Sequence, residues 1–164
     1  MLFAKQSPYI KSTHRLADLI AAIQVMGTYK FASRPQESWE KKLGRDPVSA
    51  PTWNTIFREH PEFFTIEKDS GAISLVWRRS RERTFDTLNY ATVSRSKAEA
   101  LKEQEDEFGE KRMSRTPLNT EEISKLVDIA INLHEREIRH RQEHRWWITA
   151  SIGVLGLIVT MMSK

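Results

Sequence analysis

The sequence predicts an α+β chain: a small body of three helices and a β-hairpin, a charged tether, and a long C-terminal helix ending in a transmembrane span. Three observations predict it. Apolar residues recur at helical spacing in three segments between positions 12 and 61, and at a spacing of two from Phe64 to Trp77. Residues 81–118 are polar and charge-rich. From Trp146 to Met162, 17 positions carry no charge, directly after Arg136, Arg139, Arg141 and Arg145. The expected units are a body over 1–83, a polar charged linker or helix over 84–118, an amphipathic stalk over 119–145 and a span over 146–162.

The first helix starts at a Ser12 or Thr13 cap and runs to about Tyr29, with Leu16, Leu19, Ile20, Ile23 and Met26 on one buried face. Gly27 sits near its end, where a helix stops. A second helix fits Ser38–Leu43, with Trp39 and Leu43 four apart and Gly44 as C-terminal cap. For the third, Ser49 precedes Pro51 in the first turn; Trp53, Ile56 and Phe57 form its apolar face, and Pro61 ends it. The period then changes to two. Phe64 and Ile66 alternate with Thr65 and Glu67, Asp69-Ser70-Gly71 supplies turn chemistry, and Ile73, Leu75 and Trp77 share one strand face.

Three helices followed by a β-hairpin resemble the winged-helix superfamily over roughly residues 12–79. The resemblance is one of architecture, since no family-specific motif is matched and no functional residue carries over. An unrelated small α+β domain shares the same order of elements. Winged helices commonly present their third helix to a partner, in many cases a DNA major groove with the hairpin on the backbone. The outward positions here are Thr52, Asn54, Thr55, Arg58 and Glu59, of which Thr52, Asn54, Thr55 and Arg58 are the candidate partner-binding set. Asn54 and Arg58 suit base edges, whereas Glu59 repels phosphate. Lys41, Lys42, Arg45, Arg78, Arg79 and Arg81, with Arg83 beyond them, are candidate contacts to nucleic-acid phosphate or anionic lipid. The charge balance agrees, because residues 1–83 carry 14 Lys/Arg against 9 Asp/Glu while the rest of the chain is near neutral.

Asn119 with Glu122 three residues on forms a capping-box pattern. Ile123, Leu126, Ala130 and Leu133 then follow heptad-like spacing, widened by Val127, Ile131 and Ile138, until Glu137 ends the seam. Such a face packs on a second copy or folds back on the body. Arg141 and Arg145 with Trp146 and Trp147 read as a membrane interface, and the arginine excess places the N-terminal body in the cytoplasm. Ala150, Gly153 and Gly156 recur every three residues as a span-packing face for a homo-oligomer. Met1–Ser12 lacks an apolar h-region, so no cleaved signal peptide is expected. The expected location is therefore a membrane, held by a single-pass tail anchor, with a bacterial inner membrane favoured.

Catalytic chemistry is not indicated. There is no cysteine, and the six glycines form no phosphate loop. His140 and His144 lie four apart beside Glu143, but the order is not His-Glu-x-x-His and arginines flank it, so no metal is expected. His14, His60 and His134 read as isolated structural or surface residues, and no cofactor is implied. The leading expectation is a non-enzymatic, membrane-anchored adaptor or sensor whose body binds a partner protein. The alternatives are a membrane-tethered DNA-binding regulator and a membrane-perturbing effector that oligomerises through its span.

Overall fold

A computed structural model describes residues 7–105 and 111–162, with 144–162 as helix backbone alone. A 3-10 turn (Pro8–Ile10) precedes α1 (Arg15–Thr28), β1 (Ser33–Arg34), α2 (Gln36–Leu43), α3 (Trp53–Glu59), β2 (Phe64–Ile66) and β3 (Ile73–Leu75). Next come α4 (Val76–Arg79), β4 (Phe85–Asp86), β5 (Ala91–Thr92), α5 (Arg95–Leu101), β6 (Met113–Ser114) and α6 (Thr120–Met162). The strands form two antiparallel three-stranded sheets, ordered β1-β3-β2 and β5-β4-β6.

The first three helices lie close to their predicted positions. α1 buries Leu19, Ala22, Ile23 and Met26 against Trp39, Trp53, Ile56 and Phe57. Ser12 Oγ accepts from the His14 amide at 3.2 Å, so the chain turns there and the helix begins at Arg15. Gly44 closes α2 at φ +71°, and Gly71 closes the β2–β3 turn at φ +67°, where an L side chain is costly. Phe64 faces Leu75 and Ile66 faces Ile73 across the hairpin.

Two departures shape the molecule. The strand ends at Leu75 and not at Trp77: the Val76 amide makes a last bond to Phe63 O at 2.8 Å, and the chain turns into α4. That change of direction leaves Trp77 36% exposed and turns Arg78 inward at 0% exposure. Residues 84–118, read as a tether, instead carry β4, β5, α5 and β6, with α5 as a solvated helix.

The capping box forms as read: the Asn119 amide donates to Glu122 Oε2 and the Glu122 amide to Asn119 Oδ1, both at 2.9 Å. From there α6 folds back on the body, burying Leu126 and Ala130 against α1 and packing Ile123, Val127 and Leu133 beside them. Gly27 is the penultimate residue of α1, near its end as expected. A Cβ there would stand 3.3 Å from Ile123 Cγ1, so glycine is what lets α6 approach.

The membrane architecture is corrected. Among the described residues no helix is long and apolar enough to cross a membrane. The tail-anchored, single-pass arrangement expected from residues 146–162, and the membrane localisation drawn from it, are therefore withdrawn. Between 120 and 143, α6 alternates a buried apolar stripe with Glu121, Lys125, Asp128, Glu135, Arg136 and Arg139. The uncharged run beyond it has 17 positions, short of the about 20 that a ~30 Å hydrocarbon core asks for. The side chains of that run lie outside the described residues.

Candidate functional site

α3 is a seven-residue helix whose inner face, Trp53, Ile56 and Phe57, is buried and whose outer face is open. Thr52 is its N-cap: the hydroxyl accepts from the Thr55 amide at 3.3 Å and lies 3.2 Å from Thr55 Oγ1. Arg58 donates through Nε to Asn54 Oδ1 at 3.2 Å, one turn back along the same face. The four predicted partner-binding residues therefore form one continuous polar strip. Thr52 has a structural duty as well, which its identity as a capping residue type signalled.

Glu59 does not oppose an anion as its sequence position implied. Its two carboxylate oxygens accept from Lys11 and from Arg15. Despite the burial that works against ionisation, these two cations hold its carboxyl below the usual range.

The predicted phosphate contacts divide into two groups. Arg78 is wholly internal and is corrected as a surface contact. Its Nη1 donates to Met26 O at 2.8 Å, Tyr29 O at 2.6 Å and Phe31 O at 3.3 Å, and its Nη2 to Arg115 O at 2.6 Å. Burial, with Arg81 and Arg115 nearby, lowers its pKa to about 10, which leaves it charged at neutral pH. Its position at the C-terminal end of α1 suits a cation, since the helix carbonyls there lack partners. Arg81 is also committed, to Pro117 O at 2.8 Å and to Glu122. Arg45 holds the buried Asp18 at 3.1 Å, and the Ser49 amide donates to the same carboxylate at 2.8 Å. Lys41, Lys42 and Arg79 remain on the surface, with Lys42 Nζ 4.8 Å from the Tyr29 ring centre and Arg79 drawn toward Glu67 at 4.0 Å.

Arg141 is exposed on α6. The side chains of Arg145, Trp146, Trp147, Ala150, Gly153 and Gly156 lie outside the described residues, as does that of His144. Among the described residues no three His, Asp or Glu groups converge in a way that would hold a metal ion.

Two clusters escaped the sequence reading. The buried His60 meets Glu62 Oε1 through Nδ1 at 3.0 Å and lies edge-on to Tyr9, whose hydroxyl donates to the same oxygen. His134 of α6 meets Tyr9 O at 3.0 Å, so two histidines read as isolated lie on either side of one tyrosine. Burial, followed by Glu62, pushes the Tyr9 phenol well above its ordinary range. In the second cluster Arg112 grips the buried Asp86 with two nitrogens, at 3.0 and 2.7 Å, and holds its carboxyl far below the usual range. Both clusters join segments far apart in the chain, Tyr9 to Glu62 and Asp86 to Arg112, and so act as structural locks. No family model, no curated protein and no solved structure matches this chain.

Proposed function

We propose that the chain is a non-catalytic binding protein whose N-terminal unit, α1 to β3, engages a partner protein on the outer face of α3. The order helix, strand, helix, helix, strand, strand, with β1 added to the hairpin, supports the winged-helix resemblance and a binding role. The observation that carries the choice of protein over DNA is how the basic residues are used. Arg78 is buried, Arg81 is committed to Pro117 O and Glu122, and the exposed Arg45 is paired with Asp18, which leaves Lys41, Lys42 and Arg79 of the six on the surface. The hairpin turn offers only Lys68 beside Glu67 and Asp69. Duplex binding needs several unspent cations flanking the recognition helix, because affinity grows with each phosphate neutralised. A strip of Asn54, Thr55 and Arg58 with one cation suits a polar protein surface better.

The test compares partners recovered by the full chain with those recovered by a triple variant, Asn54→Ala, Thr55→Ala and Arg58→Ala, with and without nuclease. A partner that survives nuclease and falls at least about tenfold with the variant supports the assignment, as expected when central contacts are lost. Recovery that is unchanged in the variant, or abolished by nuclease alone, overturns it.

A further inference from the structure

The free edges of the two sheets, β1 and β6, flank a cleft of about 250 Å³. The Ala32 amide donates to Ser114 Oγ at 3.0 Å, which fixes the distance between the two walls. Phe31 lines one side, Arg115 and Lys111 the other, and Arg83 a third; Glu105 is the one acid on the lining. Among the described residues no carboxylate pairs with Arg83, Lys111 or Arg115. Arg115 is held in place from behind, its Nε donating to Arg79 O at 3.0 Å and Arg81 O at 3.1 Å. Burial, then the like charges of Arg83 and Arg79, lower its pKa, with Glu67 acting in the opposite direction.

A larger cleft beside α5, about 320 Å³, shows the contrast. Arg83 and Lys111 line it too, but beside Glu82, Glu99 and Glu103, with Arg95 facing Glu82 at 3.9 Å and Lys102 paired with Glu99, so it is the more acidic of the two clefts that these cations border.

Next to the cationic cleft stands an exposed aromatic ring. Tyr90 is 68% exposed at the tip of the β4–β5 hairpin, and it is the one described non-glycine residue in the left-handed region, at φ +50°. Such a backbone costs about 1 kcal/mol or more for a bulky side chain, and asparagine or glycine would be the ordinary choice. Lys30 Nζ lies 5.9 Å from the Tyr90 ring centre and 4.9 Å from that of Phe31, which connects the ring to the cleft wall through one more cation. Phe85 supports Tyr90 edge-on at 6.3 Å, leaving a face to solvent.

We propose that this cleft binds single-stranded nucleic acid, with backbone phosphates on Arg83, Lys111 and Arg115 and a base stacked on Tyr90. Cations with no carboxylate partner among the described residues, beside an exposed aromatic ring, supply the two components that single-strand binding requires. A duplex is disfavoured because the site presents a crevice between sheet edges and no helix for a groove. The proposal uses none of the residues assigned to the α3 surface, so the two readings stand or fall separately.

The test is fluorescence anisotropy of the full chain with labelled oligo-dT and oligo-U of about twelve nucleotides. Three neutralised phosphates predict an affinity that falls roughly 20-fold between about 50 and about 200 mM salt. The double variant Arg83→Glu, Lys111→Glu is expected to abolish binding. Tyr90→Asn keeps a residue that accepts the left-handed backbone, so its expected loss of about tenfold is not an unfolding artefact. Arg58→Ala is expected to change nothing. The proposal is overturned by no binding at the lower salt, by affinities unchanged in either cleft variant, or by a duplex that binds more tightly and depends on Arg58.

Discussion

At the scale of single residues, two buried charges do opposite kinds of work. Arg78 has no carboxylate partner among the described residues; it gathers carbonyls from the end of α1, from the segment after it and from Arg115. Replacing it with methionine fills the space but leaves those four acceptors without a donor, and each unsatisfied buried group costs about 1–3 kcal/mol. We expect Arg78→Met to destabilise the chain by at least about 3 kcal/mol in urea denaturation. Arg78→Lys should recover little, because a single ammonium cannot donate on two sides as the planar guanidinium does. Asp86 acts through a partner and through backbone: besides Arg112, it accepts from the amides of Leu88 and Asn89 and from the Asn89 side chain. Its pKa is depressed in the folded state, so this contribution is complete above the unfolded carboxyl value near 4 and is lost as pH falls below it toward the folded value. Asp86→Asn should therefore cost about 2 kcal/mol at neutral pH and flatten the acid limb of the stability curve between about pH 4 and 2. Denaturation at pH 7 and pH 3 separates the two effects; an unchanged acid slope would remove Asp86 as its source.

At the scale of elements, what was legible is what local rules determine. The apolar face of α1, the glycine turns at Gly44 and Gly71, the hairpin pairing and the Asn119/Glu122 box all follow from spacing and side-chain chemistry within a few residues. Asn119→Ala should cost about 1 kcal/mol and speed amide exchange in the first turn of α6. An unchanged exchange rate there would mean that the Arg81–Glu122 pair alone anchors the turn. What was not legible depends on partners far along the chain. The stripe Ile123, Leu126, Ala130 and Leu133 announces that one face is buried but not against what, and α1 is the answer. Gly27 lies near the end of α1 as read, but nothing local reveals that Ile123 comes close to it. Gly27→Leu is expected to displace the start of α6 and expose the 118–123 connection to protease, whereas Gly27→Ala sets a helix-propensity gain of about 1 kcal/mol against a slight crowding of Ile123. The α3 strip was found at its predicted positions, while Arg78 was misassigned because a strand that ends two residues early inverts which side chains face in.

At the scale of the whole molecule, the body read from the sequence as residues 1–83 draws part of its core from later residues. Leu118, Leu126 and Ala130 belong to the same buried cluster as Leu19, Ile23 and Trp39. The Leu118 amide donates to Gly27 O at 2.9 Å, Ser114 Oγ accepts from Ala32, and Arg115 O accepts from Arg78. Burying two leucines fully is worth about 1.5–3 kcal/mol each, and the exposed face of α1 and an unpaired Arg78 group would add to the loss. That total is comparable to the about 5–15 kcal/mol by which a domain is stable at all. A chain ending at Arg83 is therefore expected to lose cooperative thermal unfolding. One ending at Glu143 keeps every described α6 side chain and should melt within a few degrees of the full chain. If the shorter piece instead unfolded cooperatively at the same midpoint, the first half would be an autonomous module and α6 an accessory to it. The difference matters for binding. A fold completed by α6 on the α1 side holds the outer strip of α3 rigid from behind, so partner affinity measured at Asn54, Thr55 and Arg58 should fall when Leu126→Asp loosens a helix that contributes none of those contacts. An affinity unaffected by Leu126→Asp, in protein shown by amide exchange to have released α6, would mean that the α3 surface needs no support from the rest of the chain.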